Sequence, residues 1–233
     1  MDHLLSNEVH IWSISLDQPD QIQPCSDLLC HEEAARAARF YFDRDRARYI
    51  VGRGQLRLIL GQYTELPPER LRFVYNAYGK PSLDAHQNGL GVEFNLSHVG
   101  GHALCAVSQG CAVGIDVEEI RDLDYLQMAA TVFSAHEQAV LRTLPAAQQP
   151  IAFFNGWTRK EAYIKAHGRG LSMPLADFDV TLAPGEPVRL LATRPDATGV
   201  KDWSLYGWRD DEGRVAALAV AGQNRRIMRQ TAL

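Results

Sequence analysis

The chain has 233 residues, 46% of them hydrophobic and 22% charged, which excludes a disordered segment, a collagen-like repeat or a coiled-coil rod. Its formal net charge of −4 provides no overall basic field for nucleic acid or an anionic membrane. Of its 24 basic residues only Lys80, Lys160, Lys165 and Lys201 are lysines, so the positions that keep a lysine are informative.

No apolar run approaches the roughly 20 residues of a membrane helix. The opening MDHLLSNEVHIW lacks a basic stretch leading into an apolar one, so a cytoplasmic protein is expected. Cys25, Cys30, Cys105 and Cys111 have no C-x-x-C spacing, and the last two sit in apolar runs as small core residues.

In chain order, residues 8–15 alternate apolar and polar and predict a strand. From about 27 to 63 the period is helical, with a break near Asp43. Arg48, Ile50, Val51, Leu56, Ile59 and Leu60 form a stripe beside an arginine-rich face (Arg36, Arg39, Arg44, Arg46, Arg48, Arg53, Arg57), which reads as solvated charge or as an anion-binding surface. Residues 67–91 are rich in Pro and Gly and predict turns around one short strand at 71–75. VEFNLS (92–97) and HALCAVS (102–108) form a strand, a tight turn and a returning strand, and CAVGIDVE (111–118) adds another. Ser134 and Glu137 make a capping box for a short helix, and residues 150–166 form a stronger one that stops at Gly168. Strands are expected at 177–182, 188–193, 202–208 and 214–221, followed by a polar tail carrying Arg225, Arg226 and Arg229. No internal repeat is visible. Helices and strands come in blocks rather than in βαβ rhythm, so the fold class is α+β.

Asp116 and Glu118 lie two apart on an apolar strand, so their carboxylates leave the same face and repel unless a cation lies between them. Hard oxygen ligands suit Mg²⁺ or Mn²⁺ rather than Zn²⁺; the alternative is a strand end with solvated acids. Trp157, Glu161 and Lys165 recur at i, i+4 and i+8, with Lys160 beside Glu161. Glu161 and Lys165 therefore form either an exposed helical ion pair or a third carboxylate and a cation aimed at Asp116 and Glu118. The second arrangement suits chemistry on a phosphate ester or anhydride. Ser97-His98 precede Gly100-Gly101, where backbone amides can approach an anion. Walker, dinucleotide, nucleophile-elbow and zinc patterns are absent.

Gly79-Lys80-Pro81, FNLSH (94–98), GIDVE (114–118) and WTRKEAYIK (157–165) followed by GRGLSMPL (168–175) occur here in one order. Together they resemble the 4′-phosphopantetheinyl transferase superfamily, in its monomeric surfactin-synthetase-activating type. The resemblance implies two similar α+β halves about a pseudo-twofold axis, residues 1–110 and 111–233, with the active site between them. It implies transfer of the phosphopantetheine arm of coenzyme A to a serine of an apo acyl or peptidyl carrier protein. By motif position Asp116, Glu118 and Glu161 would hold Mg²⁺, with Glu161 also the base and Lys165 stabilising charge on the phosphates. His98, Ser97, Arg48 and Arg36 would bind the phosphates of CoA, Gly79 and Lys80 would line the nucleotide site, and Lys160 would join the CoA contacts. Glu33 stands where some relatives carry lysine. The W-x-x-K-E-A form places the chain in the tryptophan-containing branch. Tyr125, Leu126 and Met128 would face the carrier. Two other readings use the same residues: a Mg²⁺-dependent phosphodiesterase or nuclease, which needs a basic track along residues 36–57, and a carrier-binding module without catalysis.

Overall fold

The computed structural model describes residues 4–194 and 197–232. Strand β1 (Glu8–Ser15) behaves as its alternation predicts: Trp12 and Ile14 enter one core, Val9 and Ile11 another. Two short helices, α1 (Ile22–Ser26) and α2 (His31–Ala37), lead into the long α3 (Asp43–Thr64). The break expected near Asp43 is the extended backbone at Phe42, and α1 was not anticipated. Glu65, at a φ of 56°, ends α3 in the left-handed region just before Pro67-Pro68.

The turn-rich stretch holds a hairpin, β2 (Phe73–Tyr75) with β3 (Pro81–Leu83), where one strand was expected. Proline at the first position of β3 is compatible with pairing because strand starts tolerate a missing N–H. Strands β4 (Val92–Val99) and β5 (His102–Gln109) follow, turning at Gly100-Gly101, so that His98 belongs to the strand itself. β1 pairs antiparallel with β5, and β5 with β4. Leu56, Ile59 and Leu60 of α3 close one face of this sheet over Trp12, Ile14, Phe94, Cys105 and Val107.

The second half repeats that plan. Strand β6 (Val113–Glu118) is followed by α4 (Tyr125–Val132), α5 (Ala135–Thr143) and the long α6 (Gln149–His167). A small hairpin, β7 (Phe178–Val180) with β8 (Leu190–Thr193), precedes β9 (Trp203–Arg209) and β10 (Val215–Ala221). The sheet order β6-β10-β9 reproduces β1-β5-β4, with a long helix and then a two-stranded hairpin between the first strand and the last two. The fold is α+β in two similar halves.

The two sheets meet across Val9, Ile11, Leu104 and Ala106 on one side and Val113, Ile115, Val117, Leu218 and Val220 on the other. Period two then sends Gly114, Asp116 and Glu118 of β6 to the opposite face, toward α6. That face is lined by small residues, Ala217 and Ala219 of β10 beside Gly114, and α6 lies close upon it.

Two expectations are corrected. The polar tail is strand β11 (Arg226–Thr231), which pairs in parallel with β1 from Glu8↔Arg226 to Ser13↔Thr231 and packs Ile227 on the inter-sheet core. It is held further by Arg225, whose Nη1 donates to the Ser6 carbonyl at 2.6 Å. The arginine-rich face is not simply solvated. Arg57 is 1% exposed, with its guanidinium shared among Glu33, the Pro68 carbonyl at 2.8 Å and the Leu71 carbonyl at 3.0 Å. Arg53 pairs with the same Glu33 and lies over the Phe73 ring. Burial works against the Glu33 carboxylate, but these two guanidiniums hold it below the ordinary range. No helix among the described residues is long and apolar enough to cross a membrane.

Candidate active site

β6 is the outer strand of its sheet, and its free edge faces β4 of the first half. Unpaired groups on a buried edge need partners. Here side chains supply them: the Ile115 N–H donates to Asn95 Oδ1 at 2.9 Å, and Lys80 Nζ donates to the Val113 carbonyl at 3.1 Å. Lys80 also reaches the Ala166 carbonyl at 3.1 Å, while Asn76 Nδ2 donates to the Gly168 carbonyl at 2.7 Å. The β2–β3 turn is thus fastened to the end of α6 and the start of β6, with Gly79 at a φ of 84° forming the turn.

Gly114 sets how close α6 comes. A Cβ there would lie 2.1 Å from the Ala162 carbonyl oxygen and 2.3 Å from the Ala166 nitrogen. That approach carries Glu161 and Lys165, one turn apart on α6, over Asp116. Lys165 Nζ is 2.6 Å from Asp116 Oδ1 and 3.0 Å from Ser97 Oγ, and Ser97 Oγ is itself 2.9 Å from Asp116 Oδ1. Both halves of the molecule therefore meet on one carboxylate. Trp157, one turn before Glu161, donates Nε1 to Glu118 Oε1 at 3.3 Å, while Arg121 holds Oε2 at 3.1 Å.

The electrostatics are those of crowded carboxylates. Burial raises Asp116 despite Lys165, and its Oδ2 is buried without a hydrogen-bond partner. Burial and then the Asp116 charge raise Glu118. Glu161 is pushed up to about 7 by burial and by Asp116, an effect that Lys165 opposes and Glu118 reinforces. Among the described residues no three His, Cys, Asp or Glu side chains stand assembled around a metal position. The ammonium of Lys165 occupies the Oδ1 side of Asp116. The donor set nonetheless suits a hard divalent cation: a buried orphan carboxylate oxygen on Asp116 and two further carboxylates, Glu118 and Glu161, that burial and the Asp116 charge push toward protonation.

His98 follows Ser97 at the mouth of this cleft. Desolvation, then the charges of Lys165 and Arg48, hold its imidazole below the ordinary value. Arg48 reaches the Gly100-Gly101 turn from α3, paired there with Asp17. Arg36 is exposed on α2 and stacks over Tyr49.

The structure brings together Asp116, Glu118, Glu161, Lys165, Ser97 and His98, with Arg48 beside them. It does not bring Lys160. That side chain is fully buried on the other face of α6, with Nζ at 2.8 Å from Glu137 and 2.6 Å from the carbonyls of both Leu175 and Phe178. All three of its donors are engaged, so the expected CoA contact is corrected to a buried strut. Lys80 likewise spends its ammonium on two carbonyls. Of the trio expected to face a carrier, all on α4, Leu126 and Met128 are each 40% exposed, whereas Tyr125 is half-buried against Phe153 and Phe154. Asn95, Asn76 and Asp17 were not singled out from sequence. Asn95 lies inside the FNLSH motif, where the requirement of a buried strand for a polar residue was the available signal.

Comparison with known proteins finds two family profiles. Residues 12–110 match the 4′-phosphopantetheinyl transferase N-terminal family, and residues 112–219 match the 4′-phosphopantetheinyl transferase superfamily. The chain is 44% identical over 221 residues to the 4′-phosphopantetheinyl transferase HetI of Nostoc sp., covering 94% of this chain and 90% of that protein. It is 37% identical over 163 residues to the transferase psf-1 of Bacillus pumilus, covering 70% and 68%. It is 31% identical over 179 residues to the transferase Sfp of Bacillus subtilis, covering 74% and 76%. The chain belongs to the 4′-phosphopantetheinyl transferase superfamily.

Proposed function

We propose that this chain moves the 4′-phosphopantetheine arm of coenzyme A onto a serine hydroxyl of an apo acyl or peptidyl carrier protein. The serine oxygen attacks the phosphorus that bears the pantetheine, the bond to the bridging pyrophosphate oxygen breaks, and adenosine 3′,5′-bisphosphate leaves. The observation that carries the reading is the meeting of Lys165, Ser97 and Asp116 at the seam, with Glu161 and Glu118 beside them. Glu161, on the face of α6 that overlies Asp116, takes the serine proton and later gives it up. Lys165 donates to the phosphate oxygens as negative charge builds toward the leaving group. His98 and Arg48, with Arg36 further out, bind the phosphates of CoA, foremost the 3′-phosphate. The Gly79-Lys80 turn borders the nucleotide. Asp116, Glu118 and Glu161 would hold Mg²⁺ or Mn²⁺, whose chemistry is to neutralise the pyrophosphate. On this reading residues 1–110 supply the CoA contacts and 111–233 the carboxylates and the carrier surface around Leu126 and Met128. The enzyme would act as a monomer in the cytoplasm, in the tryptophan-containing branch of the family.

The nuclease reading loses its footing because the basic track it requires is broken: the guanidiniums of Arg53 and Arg57 are withdrawn from solvent onto Glu33. The test is intact-mass analysis of a panel of apo-carriers incubated with the protein and CoA, with Mg²⁺ or with chelator. One phosphopantetheine added to a carrier serine, with Mg²⁺ only and not with Glu161→Gln, is expected. Tight CoA binding without transfer to any carrier would overturn the proposal.

A further inference from the structure

Asp17 lies just past β1, and the chain there is fixed from two sides. Ser15 pairs with His102 across the sheet, and the Leu16 N–H donates to the Gly101 carbonyl at 2.8 Å. The Asp17 carboxylate consequently sits against the Gly100-Gly101 turn, so closely that a Cβ on residue 101 would lie 2.2 Å from Asp17 Oδ2. A side chain on residue 101 would have to push the Asp17 carboxylate out of this corner. Into the same corner α3 delivers Arg48, which donates Nε to Oδ1 at 2.6 Å and Nη2 to Oδ2 at 2.7 Å. This is a side-on, two-point pair, the geometry that fixes the plane of a guanidinium. It leaves Nη1 of Arg48 without a protein acceptor among the described residues, and the arginine remains close enough to His98 for its charge to act on that imidazole.

A free arginine on the first turns of a helix samples many rotamers, and holding it beforehand saves ordering entropy when an anion arrives. We propose that Asp17 is a positioning residue for CoA selection: it holds the Arg48 guanidinium beside His98 so that the unused edge receives the 3′-phosphate. The inference rests on the reading of Arg48 as a 3′-phosphate contact. Asp17 itself touches no substrate, and its negative charge alone would repel one. The net benefit comes from geometry. An arginine that merely neutralised Asp17 would behave in the opposite way, since CoA would then have to displace the carboxylate.

The experiment compares wild type, Asp17→Ala, Asp17→Asn, Arg48→Ala and the Asp17→Ala/Arg48→Ala double variant, each with CoA and with 3′-dephospho-CoA. The expected result is a KM for CoA raised about three- to tenfold in both Asp17 variants, with kcat and the KM for 3′-dephospho-CoA unchanged. In the Arg48→Ala background the Asp17 change should add nothing. Asp17 is exposed, and thermal melts of each variant verify that it folds; a general structural loss would move both cosubstrates equally. Unchanged or lowered KM for CoA in the Asp17 variants, with Arg48→Ala still raising it selectively, overturns the role of Asp17 alone. If Arg48→Ala treats the two cosubstrates as wild type does, the reading of Arg48 falls and this inference falls with it.

Discussion

Gly114→Ala adds one methyl group at the contact that places α6 on β6. The new Cβ would lie 2.1 Å from the Ala162 carbonyl oxygen and 2.3 Å from the Ala166 nitrogen. An ordinary carbon-to-oxygen approach is about 3.3 Å, so α6 must retreat from β6 by about 1 Å. Both offending atoms are backbone, and no side chain can swing aside to absorb the shift. Overpacking of this kind costs about 1–3 kcal/mol, and the rigid partner puts Gly114 at the upper end. Ala162 and Ala166 each adjoin a site residue, Glu161 and Lys165, so the same retreat stretches the 2.6 Å contact between Lys165 and Asp116. A misplacement of about 1 Å costs roughly 100-fold in rate. Urea denaturation gives the stability and a carrier-modification assay gives kcat and the KM for CoA; kcat should fall far more than CoA affinity. Gly89→Ala, where a Cβ would meet nothing within 4 Å, serves as the neutral comparison. A Gly114→Ala protein within about 0.5 kcal/mol of wild type and within twofold in kcat would refute the idea that this close approach sets the site.

Substitutions at three further positions probe separate links. Glu161 has an ordinary value of 4.5 and is raised to about 7, so the metal-free folded state binds its proton more tightly than the unfolded chain and loses stability as pH rises from about 4.5 through 7. Glu161→Gln should remove that loss, leaving the variant about 1–2 kcal/mol more stable than wild type above pH 7 after allowance for solvent screening; superimposable pH–stability curves in chelator would contradict it. Lys160→Met leaves the Glu137 carboxylate buried without its ammonium and should cost about 3–5 kcal/mol in urea unfolding, with KM for CoA unchanged at low temperature. A raised KM at full stability would restore Lys160 to the substrate site. Asn95→Ala strands the Ile115 N–H on the buried edge of β6, for about 1–3 kcal/mol lost in the same unfolding measurement; stability within about 0.5 kcal/mol of wild type would contradict it.

Most of the elements were legible because their signals are local. Alternation marked β1, apolar runs bounded by glycine turns marked β4 to β6, Ser134 and Glu137 marked the start of α5, and Gly168 marked the end of α6. β11 was missed because its partner lies more than 200 residues away in sequence and its arginine-rich alternation looks like a solvated tail. The repeat of the two halves was equally silent, since topology can recur while side chains diverge. The carboxylates and Lys165 could be grouped from sequence because strand and helix periodicity each fix a face. Which lysines and arginines reach that face could not, because burial of a cation depends on distant carbonyls and carboxylates. Arg57 and Glu33 illustrate this: neither residue announces the other, and together they become part of the core.

The scarcity of lysine has a structural reason at three of its four positions. An ammonium offers three donors from a single point and can gather acceptors that converge from different directions, whereas a guanidinium needs them spread in a plane. Lys160 Nζ meets the Glu137 carboxylate and two carbonyls, and Lys80 Nζ joins the carbonyls of Val113 and Ala166 across the seam. Lys165 Nζ meets Asp116 and Ser97, one from each half. Lys201, the fourth, is exposed. These three lysines all fasten α6: Lys160 on its buried face, Lys80 from the β2–β3 turn to its C-terminal end and to β6, and Lys165 at the cleft, where an incoming phosphate would compete for its donors. Only the last lies in the candidate site, and it stands on a helix that Lys160 anchors on its buried face and Lys80 at the Ala166 carbonyl. A substitution that damages either strut should therefore appear first as a misplaced Lys165, before any loss of a direct CoA contact.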